Sequence, residues 1–132
     1  MENGYTKEEM KMVWETQKIF NDPSITVNPT CVRVPVFYGH AEAVHVETRA
    51  PIDAQEVINL LEQTEGVEVF HGEDFPTQVR DAGGKDSVMV GRIRNDISHH
   101  SGINLWVVAD NVRKGAATNA VQIAEVLIRD YY

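Results

Sequence analysis

The chain has 132 residues, a formal charge of −8 and one cysteine, Cys31, with 42% hydrophobic and 24% charged residues. Those proportions suit a single globular domain able to bury about two-thirds of its unfolded surface, and no apolar run reaches the roughly 20 residues of a membrane span. The acidic balance speaks against sequence-independent binding to nucleic acid, which needs clustered Lys and Arg. A lone cysteine allows no internal disulfide and fits a reducing cytoplasm, and the N-terminus carries no signal or transit peptide pattern.

Thr6 with Glu9 three residues on forms a capping box, which predicts a helix to about Phe20 with Met10, Val13, Trp14 and Ile19 or Phe20 on its apolar face. Asn21-Asp22-Pro23 ends it. Residues 30–36 are rich in β-branched side chains and read as a strand that leaves its sheet at Gly39, just before His40. Residues 41–49 alternate as a half-exposed strand. Asp53 caps a second helix, with Glu56 at the box position, Val57, Leu60 and Leu61 facing a core, and Gly66 as terminator. A short strand over 67–70 leads to a loop over 71–86. Two further strands, 87–94 and the more apolar 103–109, flank a turn at His99 to Gly102. Asp110-Asn111 can cap a final helix whose stripe runs through Ala116, Ala117, Ala120, Val121, Ala124, Leu127 and Ile128. The order α-β-β-α-β-β-β-α predicts an α+β domain, with a mixed, largely antiparallel sheet and helices packed on one face.

Chemistry enters at residues 33–40, RVPVFYGH, where Arg33 and His40 lie near one strand end. A guanidinium fork binds both oxygens of a carboxylate, and an imidazole moves protons near neutral pH. By spacing alone this pair reads as structural more readily than as a site. Glu8 and Lys11 would lie on one helical face, as a clamp for a zwitterionic or phosphorylated ligand or as a solvated ion pair. Cys31 sits in mid-strand with no adjacent cation, so it reads as a buried structural thiol rather than a nucleophile. His71, His99 and His100 lack metal-ligand spacing, and Gly83-Gly84 lacks the strand-then-helix frame of a phosphate loop.

Four ordered segments add what spacing cannot: EEMKMVWET (8–16), TCVRVPVFYGH (30–40), VGRIRND (90–96) and LWVVADNVRKGAATNAVQIAE (105–125). Together they resemble the C-terminal part, about the last third, of bacterial aspartate-semialdehyde dehydrogenase. In that family a cysteine thiolate attacks β-aspartyl phosphate, or the semialdehyde in reverse, and NADP(H) exchanges hydride with the adduct. The resemblance implies that His40 is the acid/base and Arg33 holds the substrate's α-carboxylate. It likewise places Glu8 near the substrate amino group, Lys11 near the phosphate and Asn111 against the cofactor; the histidine spacing noted above predicts no metal.

The same resemblance implies a homodimer or higher homo-oligomer acting on a small molecule, while the charge, the hydropathy and the lone cysteine predict neither nucleic acid nor membrane as partner and a cytoplasmic location. The family's nucleophilic cysteine and Rossmann domain have no counterpart in these residues, so the chain alone is expected to be inactive. The final helix, which in the family packs on the Rossmann domain, is expected to be exposed, repacked or covered by another copy. The alternative reading is an inactive dimerisation or interaction module derived from the enzyme.

Overall fold

The computed structural model describes residues 1–132, in two units, Met1–Pro35 and Val36–Tyr132. The first is built on α1 (Lys7–Phe20), which starts as the capping box predicts. Thr6 Oγ1 accepts from the Glu9 N–H at 3.2 Å, and Glu9 Oε2 accepts from the Thr6 N–H at 2.8 Å. Asn21 ends the helix in the left-handed conformation, its N–H donating to the Gln17 and Lys18 carbonyls. Met10 and Val13 are half-buried, but Trp14, Ile19 and Phe20 are exposed, so the covered face is narrower than the periodicity suggests.

From Asn21 the chain runs back beside α1. Gln17 Nε2 donates to the Ile25 carbonyl at 2.9 Å, Tyr5 Oη donates to Asn28 Oδ1 at 2.9 Å, and Pro29 is buried. Residues 30–36 do not form the expected strand: they are extended but irregular, and no other segment pairs with them. β-propensity measures how well a side chain fits a pleated, half-covered surface, and it needs a partner ladder to act. Without one, Val32 is 83% exposed, and Cys31 is exposed rather than buried in mid-strand.

The second unit is a four-stranded sheet ordered β1-β4-β3-β2, with β1 at His40–Glu47, β2 at Val67–Val69, β3 at Val88–Asn95 and β4 at Gly102–Ala109. The β1/β4 and β3/β4 pairs are antiparallel and β2/β3 is parallel, which is the mixed, largely antiparallel α+β fold expected. The apolar strand takes the central place. The inner core is Ala82, Met89 and Val108, with Ala41, Phe70 and Trp106 packed around it. Helix α2 (Ala54–Glu62) is capped by Asp53, whose Oδ1 accepts from the Glu56 N–H at 2.8 Å, and it packs on β2 and β3. Ala54, Val57, Ile58 and Leu61 are its half-buried residues; Leu60, expected in the core, is 55% exposed because it lies off that face.

Register slips by a bulge between Gly91 and Arg94 in β3, where Arg92 takes a φ of 53°. Just beyond it, Asp96 Oδ1 accepts from the Ser98 N–H and hydroxyl, each at 2.7 Å, and Oδ2 meets His45 Nε2 of β1 at 2.6 Å. The Ser98 amide and hydroxyl, and then His45, lower the Asp96 carboxyl from 3.8 to about 2. A carboxyl depressed on folding contributes stability that is complete above its unfolded pKa and lost as pH falls through the folded one. The stability contributed by Asp96 should therefore vanish between about 3.8 and about 2. Urea midpoints measured across that range should fall more steeply for the parent than for Asp96→Asn; parallel pH curves would show that this carboxyl contributes nothing.

Helix α3 (Ala117–Tyr131) starts later than Asp110-Asn111 predicts. Asp110, only 6% exposed, instead accepts from the Gly84 N–H at 2.9 Å and the Val112 N–H at 3.0 Å. Those amides, Gly84 first, hold its carboxyl below the usual aspartate range. It thus organises a turn at 110–116 and leaves Ala116 as an N-cap without a side-chain bond. Thr118 Oγ1 donates to Asp86 Oδ1 at 2.6 Å and ties down the start of α3, while Val121, Leu127 and Ile128 remain exposed.

Candidate functional site

The expected site residues divide between the two units. Glu8 and Lys11 lie on the first turn and a half of α1, and their charges meet at 3.2 Å on the surface. Such an exposed pair contributes at most about 1 kcal/mol, so it can open to receive a ligand's opposite charges at little cost. Arg33 lies on the extended segment of the same unit, exposed and without a carboxylate partner in the chain. Glu9, next to Glu8, faces the other way. It is 9% exposed, with Oε2 on Thr6 and Oε1 accepting from the Cys31 N–H at 2.9 Å. The Thr6 amide, then the Cys31 amide and the Thr6 hydroxyl, hold its carboxyl below the usual range.

In the second unit His40 is the first residue of β1 rather than a residue beyond a strand's end, and it is exposed. It pairs with Ala109 at the last position of β4, which brings it to the sheet end from which Asn111 continues. Asn111 is half-buried in the turn ahead of α3, not on the helix itself. Before His40 comes Gly39, buried, with a φ of 83°. A Cβ there would lie 3.0 Å from the Ala109 carbonyl oxygen and 3.2 Å from Ala82 Cβ.

The loop over 71–86 contains one π-helical turn, Gln78–Ala82, which reaches this point. Gln78 Nε2 donates to the Gly39 carbonyl at 3.0 Å and so fixes the peptide that leads into His40. The turn is held in place by Trp106 Nε1 donating to the Pro76 carbonyl at 2.9 Å and by Arg80, which bridges Asp74 and Asp81. Val36, Phe37, Tyr38, Gln78, Val79 and Gly83 line a shallow cleft of about 210 Å³, below the ~300–1,000 Å³ of pockets that enclose a drug-sized ligand. The first-turn glutamate was legible only as a cap, and nothing in the residue pattern pointed to Gln78, whose role depends on a contact 39 residues away in the chain.

The family model for the semialdehyde dehydrogenase dimerisation domain matches residues 1–114. The chain belongs to that family. It is 86% identical over 132 residues to aspartate-semialdehyde dehydrogenase 2 of Vibrio cholerae, covering all of this chain and 39% of that protein, its C-terminal part. The crystal structure of the Vibrio cholerae aspartate-semialdehyde dehydrogenase II complexed with ASA superposes with a TM-score of 0.95 at 86% identity, over 100% of this chain and 39% of that one. The Candida albicans enzyme, solved with NADP, matches at a TM-score of 0.73 and 27% identity, over 94% of this chain and 43% of that one. The chain therefore spans about two-fifths of the relatives it matches. None of its helices is long and apolar enough to cross a membrane.

Proposed function

We propose that this chain is the substrate-holding and proton-transferring part of an NADP-dependent aspartate-semialdehyde dehydrogenase. That enzyme would convert aspartyl phosphate to the semialdehyde in amino-acid biosynthesis in the cytoplasm. The observation that carries this reading is the 86% identity to a relative solved with ASA, together with four polar residues of the required chemistry, exposed Glu8, Arg33 and His40 and half-buried Lys11. The Arg33 fork suits the substrate's α-carboxylate, Glu8 its ammonium and Lys11 its phosphate, each charge meeting its opposite. His40 supplies and accepts the proton. NADP(H) would supply the hydride, with Asn111 as this chain's contact to it. The nucleophilic thiolate and the rest of the cofactor site are assigned to residues outside these 132.

Assembly through this segment into a homodimer accords with the matched dimerisation domain. An inactive interaction module draws on the uncovered apolar side of α3. The two readings separate in a chimera that places this chain in the matching 39% of the Vibrio cholerae enzyme. The chimera should reduce NADP with aspartate semialdehyde and phosphate and sediment as a dimer, while the 132-residue chain alone shows no turnover. A folded but inactive chimera would favour the module, and robust turnover by the isolated chain would refute the division of labour.

A further inference from the structure

We propose that Glu9 is a positioning residue for the substrate grip, a role that rests on the reading of Glu8, Lys11 and Arg33 as substrate-binding. Its carboxylate joins the two segments that carry those three side chains. One oxygen closes the start of α1, one residue from Glu8 and two from Lys11, by accepting from the Thr6 N–H at 2.8 Å and the Thr6 hydroxyl at 3.0 Å. The other accepts from the Cys31 N–H at 2.9 Å, two residues before Arg33.

The second bond matters because residues 30–35 have no strand partner to fix them. Cys31 Sγ also lies 3.5 Å from Met12 Sδ of α1, and Tyr5 Oη donates to Asn28 Oδ1 just ahead of the segment. A charge-assisted bond from a buried carboxylate to a backbone amide is stronger than either of these neutral contacts. Glu9 accordingly sets where Arg33 emerges relative to Glu8 and Lys11. The exposed acid on the same turn binds, and the buried one holds the binding groups in register.

Capping and positioning are separable, because Thr6→Ala removes the hydroxyl half of the cap and leaves the Cys31 bond in place. In the chimera, Glu9→Ala should raise KM for the semialdehyde about 10–100-fold with kcat changed less than about threefold, the scale of effect expected when a binding group is displaced by about 1 Å. Glu9→Gln keeps one carbonyl acceptor and should fall between Glu9→Ala and the parent. Thr6→Ala should lower the melting temperature and leave KM unchanged. Arg33→Lys serves as the control, since losing the bidentate fork should raise KM on its own. If Arg33→Lys raises KM but Glu9→Ala leaves it at the Thr6→Ala value, Glu9 is only a cap and the proposal fails while the substrate reading stands. If Arg33→Lys also leaves KM unchanged, the substrate reading falls and the proposal with it. Should Glu9→Ala not fold in the chimera, the Glu9→Gln value decides in the same way.

Discussion

His40→Ala in the chimera should lower kcat about 10²–10⁴-fold, the range for removing a positioned general acid–base, with KM for the semialdehyde within a few-fold of the parent. Histidine suits the role because its ordinary titration range crosses neutrality, so it can give and accept a proton at one pH. At this position the backbone is constrained on both sides of the residue. The preceding peptide is held by Gln78, and the ladder to Ala109 fixes the strand that follows. The imidazole itself is exposed and forms no bond within the unit, which leaves it available to a substrate. His40→Asn keeps polarity and approximate size without proton transfer, so it should be as impaired as alanine if the proton is what matters. Activity within threefold of the parent in either variant would remove the acid–base assignment.

The parts of this fold that could be read from residue types alone are those closed by short-range chemistry. Thr6 with Glu9 and Asp53 with Glu56 marked both helix starts correctly, because an N-cap is satisfied within three residues. The central strand was legible from its almost continuous apolar run, although Asn104 to Val107 are half-buried rather than covered on both faces. Failures came where the outcome depended on distant partners. Residues 30–36 have strand composition but no neighbouring strand, so Cys31 and Val32 face solvent. Asp110 has the chemistry of a helix cap, yet the Gly84 amide, 26 residues earlier, holds it, and α3 begins at Ala117 instead. On the apolar side of α3, Leu127 and Ile128 are exposed within the unit. The same contrast divides the site. Arg33, His40, Glu8 and Lys11 are proposed through motifs, whereas the contacts beside them, Glu9 to Cys31 and Gln78 to Gly39, exist only after folding.

Gly39→Ala tests how far the placement of His40 depends on that folded environment, and it should be the most destabilising single change at the site. Two costs act together. An L-residue held at a φ of 83° is displaced from its allowed regions, at about 1–2 kcal/mol. The added methyl would also meet the Ala109 carbonyl oxygen at 3.0 Å and Ala82 Cβ at 3.2 Å. The first is a backbone atom at the end of β4 and the second belongs to a side chain 0% exposed in the core, so neither retreats without moving its element. Overpacking of this kind costs about 1–3 kcal/mol, which brings the expected loss to about 2–5 kcal/mol in denaturant unfolding of the chain. Relief by shifting the 39–40 peptide would stretch the Gln78 bond and turn His40, so in the chimera kcat should fall even under conditions where the variant remains folded. A stability loss under about 0.5 kcal/mol, within the range of ordinary surface substitutions, would mean that the left-handed turn is not required to present His40.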